Sequence, residues 1–189
     1  MIRQLSRALN GRNYSPSEIS ELFRVVGKKG PGTNVAGDLG EKVAEKAINF
    51  RALPGGQLDL LDLKPGTKVI PGQYTGNVGV DLIGVNRNGQ PVILEVKAGM
   101  NPYLDTYSDG VVQMSPEWIV DRWTKLISDP NNVEYLQKLG IDPKYLNSNN
   151  ISSEIIDSEF SRKIIAPSNT SVSNLPKAGL SGLSDVINM

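Results

Sequence analysis

The chain has 189 residues, 39% hydrophobic and 21% charged, with 20 basic side chains matched by 20 acidic ones. That size suits one packed domain with peripheral segments, and zero net charge requires any polyanion-binding surface to be a local patch or to rely on a bound cation. The chain has no Cys and no His, which excludes disulfides, thiolate zinc sites and histidine triads and leaves carboxylates, lysine, tyrosine and hydroxyls for any hydrolytic chemistry.

No apolar run reaches the roughly 18–20 residues of a membrane span, and Met1 to Asn13 lacks the apolar stretch of a signal peptide. Ser15-Pro16-Ser17-Glu18 reads as a helix start with Ser15 as cap. Ile19, Leu22, Phe23 and Val26 then share a face, and Lys28-Lys29-Gly30-Pro31-Gly32 ends the helix as a linker. A second helix is expected from Asp38, its cap, to about Arg51, burying Val43, Ala44, Ala47 and Ile48. Pro54-Gly55-Gly56 breaks it. From Gln57 to Asn77 the chain reads as a long irregular connection with a short strand near Val69.

The strongest β signal follows. Val80, Leu82, Ile83 and Val85 mark one strand, and Val92, Ile93, Leu94 and Val96 another, with Arg87-Asn88-Gly89-Gln90 as the turn between them. Both strands are apolar on both faces, as in the centre of a covered sheet. After Gly99 comes a polar, Tyr-rich stretch to Gly110. Ser115-Pro116-Glu117 opens a helix whose stripe is Trp118, Ile119, Arg122, Trp123, Leu126 and Ile127. A shorter helix, Asn132 to Leu139, ends at Gly140. Ile155 to Ala166 is expected to add a late strand, and the tail from Pro167 to be loosely held. The order predicts an α/β fold with helices packed on a sheet.

Three charges interrupt the two apolar strands: Asp81 on the first, Glu95 and Lys97 on the second. Glu95 and Lys97 are two residues apart and so share a face. Buried charge is costly unless paired or bound to a metal. Two carboxylates suit a hard divalent cation, and an adjacent ammonium can orient or deprotonate a water and steady a phosphorane. The register decides whether this is possible. A two-residue Asn88-Gly89 turn would set Asp81 opposite Val96, facing away from Glu95. A three-residue loop, Arg87-Asn88-Gly89 with Gly89 left-handed, sets Asp81 opposite Glu95, as would a bulge near Gly84 or Gly79. One of these is expected.

Asp81 together with Glu95-Val96-Lys97 resembles the PD-(D/E)XK nuclease superfamily, with thirteen residues between the carboxylates and Val80 in place of the family's usual proline. The resemblance implies a restriction-endonuclease-like mixed β-sheet flanked by α-helices. It also implies an acidic residue on a preceding helix, matched by Glu41 and, second, by Glu45. Gln113-Met114-Ser115, followed by Trp118, resembles a segment of the C-terminal nuclease toxins of bacterial contact-dependent inhibition and Rhs-type systems, in which a polar residue lies near the cleft.

On that footing the expected site is Glu41, Asp81, Glu95, Lys97 and Gln113. Mg2+, or alternatively Mn2+, would be held by Asp81, Glu95 and the Val96 carbonyl. Residues 1–34 form an N-terminal helix and linker, 35–166 the nuclease domain and 167–189 a tail. The resemblance further implies a nucleic-acid substrate, DNA favoured and tRNA the alternative, a cognate immunity protein, and delivery from a producing bacterium into a target-cell cytoplasm. Plainer readings stand beside these. The three charges can be a structural ion-pair cluster, Asp38-x-x-Glu41 a capping box, Gln113 a loop residue and Ser115 a helix cap. The domain can also be a nuclease-like binding module without turnover. Trp118 and Trp123 are read as core, and the Tyr103–Tyr107 loop either covers the cleft or lies on the surface.

Overall fold

The computed structural model describes residues 34–50, 54–72, 79–97, 103–166 and 183–188. The helix expected at Ser15–Val26 and the Lys28-Lys29 linker lie outside them. Helix α1 spans Asn34–Asn49 and buries Val43, Ala44, Ala47 and Ile48. It starts four residues before the expected cap, so Asp38 lies within the helix rather than at its N-terminus. A 3-10 helix, Pro54–Leu61, replaces the first part of the expected irregular connection, and β1 is the short strand Ile70–Pro71.

Strands β2 (Leu82–Val85) and β3 (Pro91–Val96) form the central hairpin. Ser115 caps α2, Pro116–Ile127, accepting from the Trp118 N–H, with Pro116 at the first helical position. Asp129 caps α3, Pro130–Leu139, and Gly140 ends it at φ +99°. The strand expected over Ile155–Ala166 divides in two. Ser152 caps a short helix α4, Ser153–Glu159, and β4 runs Ser161–Ala166. The tail expected to be loose supplies β5, Leu183–Asn188.

The sheet has the order β1-β2-β3-β4-β5. β1, β2 and β3 pair antiparallel, and β3, β4 and β5 pair parallel. Side-chain alternation gives it two apolar faces. Leu82, Val92, Leu94, Val96 and Ile165 pack on the buried stripe of α1. Ile83, Val85, Ile93 and Ile164 pack on α2, α3 and α4, chiefly through Trp118, Trp123, Leu136, Ile156 and Phe160. Both tryptophans belong to this core, at 3% and 0% exposure. The fold is therefore α/β, an open mixed sheet with helices on both faces. Among the described residues no helix is long and apolar enough to cross a membrane.

Candidate functional site

The β2–β3 turn has the three-residue form. Leu82 pairs with Leu94, Ile83 with Ile93, Gly84 with Val92 and Val85 with Pro91, which leaves Arg87, Asn88 and Gly89 in the loop. Gly89 is left-handed at φ +77°. The buried Asn86 side chain organises the loop: its Oδ1 accepts from the N–H groups of Asn88 (2.9 Å) and Gln90 (3.0 Å). The Asn86 N–H donates to the Gln90 carbonyl at 3.0 Å. Continuing that register one step past Leu82–Leu94, the last pair of the ladder, sets Asp81 opposite Glu95 at a non-hydrogen-bonded position. Side chains approach most closely at such positions.

The ladder opens at this point. The next bonded pair would join the Val96 N–H to the Val80 carbonyl. Instead the Val96 N–H donates to the Asp81 carboxylate at 2.7 Å. Gly79, at φ +81°, turns the incoming chain away just before the strand, and the Asp81 carbonyl accepts from Gly72 of the β1 side at 2.9 Å. The Lys97 N–H bonds across to Ile165 of β4. By strand alternation the Val96 carbonyl therefore points the other way, into the gap between β3 and the departing chain at Asp81.

Four of the expected residues, Asp81, Glu95, Lys97 and Gln113, converge here, and Glu41 acts on Glu95 through its charge. Glu95 is 3% exposed, and its Oε1 accepts from the Lys97 ammonium (2.8 Å) and from the Gln113 amide (2.7 Å). The Gln113 oxygen in turn accepts from Lys97 at 2.6 Å, closing a triangle. Glu95 Oε2 is buried without a partner. Burial, then the charge of Glu95, drives the Asp81 pKa well above the usual carboxylate range, against the Val96 N–H and Lys97. Burial also raises Glu95; Lys97 opposes this and the nearby Glu41 adds to it. The two carboxyls act on each other's charge, so burial and mutual repulsion favour the protonated form of Asp81.

Lys97 loses hydration, which alone would lower its pKa. Glu95, with Asp81 and Asp105, outweighs that and raises it. Lys97 is therefore an ammonium, and its share of the expected chemistry narrows to orienting groups and stabilising negative charge. The expected alternative for Glu41, residue Glu45, is half-buried and lines a separate hollow of about 450 Å3 with Lys46, Lys68 and Tyr135. Burial raises its carboxyl, but it is not among the charges acting on Glu95.

Gln113 is aimed by its surroundings. Its N–H donates to the Asp105 carbonyl at 2.8 Å, closing a small loop whose arms meet at the Thr106–Val112 bridge. The next residue, Met114, takes the left-handed conformation at φ +68°, uncommon for a side chain of its kind. Its carbonyl accepts from Arg162 Nη1 at 3.0 Å, and Arg162 Nη2 pairs with Asp157 at 2.5 Å. Arg162 is wholly buried on β4. Sequence reasoning missed it, although the signal that singled out Asp81, a charge inside an apolar strand, was also present in Ser161-Arg162-Lys163-Ile164. Asp105, which faces Lys97, was missed as well. Tyr103 and Tyr107 lie on the surface at 49% and 38% exposure.

The donor set fits a hard divalent cation on chemical grounds. Two carboxylates on one sheet face, one with an orphaned buried oxygen, can take oxygen coordination in place of a carboxyl proton. Among the described residues no three acidic groups gather tightly enough to form a ready-made cage, so backbone and water oxygens would complete the shell. Compared with known proteins, the chain matches no family model, no curated protein and no solved structure.

Proposed function

We propose that the domain is a divalent-metal-dependent phosphodiesterase acting on nucleic acid, with DNA as the favoured substrate. The observation that carries the reading is the convergence of Asp81 and Glu95 at the point where β2 leaves β3, with Lys97 and Gln113 closing one side. Such clustering of partly desolvated charge is costly to the fold and characteristic of functional sites. A plain structural ion pair would need one carboxylate for one ammonium; here Glu41, Asp81 and Glu95 act together and Glu95 Oε2 is left unsatisfied.

Asp81 and Glu95 would hold Mg2+ or Mn2+, with the Val96 carbonyl pointing into the same gap. The cation would supply charge neutralisation at the phosphate and a more acidic water. Lys97 stays protonated, holds Gln113 in register, and donates to an oxygen that gains charge as the phosphodiester is attacked. Gln113 spans Lys97 and Glu95 and keeps both from collapsing out of the gap. Glu41 keeps the local potential negative, which favours a cation. Metal-dependent hydrolysis needs no 2′-hydroxyl, which is the ground for preferring DNA. The resemblance to polymorphic toxin nucleases makes an interbacterial toxin with a cognate immunity protein the corresponding biological role, with tRNA as the alternative substrate.

The test is incubation with plasmid DNA and with total tRNA, in Mg2+ or Mn2+ and in EDTA. Cleavage should require the metal and disappear in Lys97→Ala with the fold retained. Intact plasmid and tRNA under both metals would instead favour a nuclease-like binding module without turnover.

A further inference from the structure

A second cluster sits beside the carboxylate pair. Arg122, on the stripe that α2 turns inward, has its guanidinium 5.5 Å from the Trp118 ring centroid and 5.8 Å from that of Tyr107. Both rings hold it by cation–π attraction. Two donors in this cluster are buried without an acceptor: Arg122 Nε and Trp118 Nε1. Trp118 is 3% exposed. The only acid bonded to Arg122 among the described residues is Asp121, at a long 3.5 Å through Nη1.

Both donors border Gly79. A β-carbon there would lie 3.5 Å from Arg122 Nε and 3.4 Å from the Trp118 ring edge next to the indole nitrogen. Gly79 is two residues before Asp81, and Tyr107 belongs to the small loop that Gln113 closes. The cluster therefore flanks the proposed metal gap from the side where the chain enters β2. Two unpartnered N–H donors, beside a guanidinium whose acid contact is long, call for an anionic oxygen acceptor. A polyanion approaching Glu41, Asp81, Glu95 and Asp105 also needs a cationic wall, and with zero net charge it must be local.

We propose that Arg122, with the Trp118 indole N–H, binds a backbone phosphate of the nucleic-acid strand next to the one cleaved. This rests on the nuclease reading. Tyr107 and Trp118 hold the guanidinium in place, and Gly79 packs against Arg122 and Trp118 with no side chain to crowd them.

The test is binding of fluorescent 12-nucleotide DNA and RNA, single-stranded and duplex, to the full chain in EDTA over a range of NaCl. Arg122→Gln should weaken binding roughly tenfold and reduce the slope of log K against log salt by about 0.9 on duplex or about 0.7 on single strands, one phosphate contact. Arg122→Lys should keep the slope. Greater loss on DNA than on RNA, or the reverse, identifies the natural strand. An unchanged slope in Arg122→Gln, or the same slope loss in Arg122→Lys, overturns the inference while leaving cleavage by the wild type, and so the nuclease reading, intact. A wild type that neither binds nor cuts any of the four overturns both.

Discussion

Replacing Asp81 with Asn should make the metal-free protein more stable and the metal-loaded protein unattainable. The amide keeps an oxygen that can accept from the Val96 N–H and removes one of two facing charges. Two unit charges about 4 Å apart repel by about 4 kcal/mol at an effective dielectric of about 20. The Val96 N–H and Lys97 offset much of this, leaving about 1–2 kcal/mol, or about 2–8 °C in melting temperature for a chain of this size. The sign with pH follows from the raised carboxyl. A folded-state pKa above the unfolded one gives stability that is full below the ordinary Asp value and is lost as pH rises through the raised value. Thermal melts in EDTA from pH 4 to 9 should therefore show the wild type losing stability over that interval, with Asp81→Asn nearly flat. Adding Mn2+ should raise the wild-type melting temperature, more so at higher pH because the carboxyl proton must leave, and should leave the variant unmoved. An Asn variant less stable than wild type at every pH, or one with the same pH slope, would refute the argument that the two carboxyls oppose each other across the sheet.

Gln113→Ala should lower the cleavage rate by roughly 100-fold, the scale of one preorganised donor, because Lys97 and Glu95 lose their common brace; single-turnover kinetics will read it. Arg162→Met should cost about 1–3 kcal/mol by orphaning the buried Met114 carbonyl. It should also reduce cleavage by misaiming Gln113, so a variant that is destabilised yet fully active when folded would detach Arg162 from the site. Gly89→Ala should cost about 1 kcal/mol, since the loop needs φ +77°, with urea denaturation as the measure and cleavage by the folded fraction unchanged.

The hairpin register was legible because one condition had to be met: Asp81 can face Glu95 only if the loop holds an odd number of residues or the strand bulges. Arg87-Asn88-Gly89 supplies the left-handed glycine the odd loop needs. The period-2 rule placed Glu95 and Lys97 together, and Ser115-Pro116 marked the start of α2 two residues after Gln113. What escaped depended on contacts distant in sequence. Ile155 and Ile156 are adjacent apolar residues that read as strand until Ser152 is seen to cap them into α4. Residues 183–188 sit in a Ser-, Asn- and Gly-rich tail, and only pairing with β4 makes them a strand. Asp38 resembled a cap because the helical stripe begins at Val43, yet α1 extends back to Asn34. Arg162 and Asp105 act on the site through Met114, Gln113 and Lys97, a relation no local spacing encodes.

The most direct measurement is calorimetric titration of Mn2+ into the full chain at neutral pH, in two buffers of different ionisation enthalpy. A metal centre at Asp81 and Glu95 gives one saturable site that releases a proton on binding and is lost in Glu95→Gln. Absence of saturable binding in the wild type, or equal binding by Glu95→Gln, would contradict it.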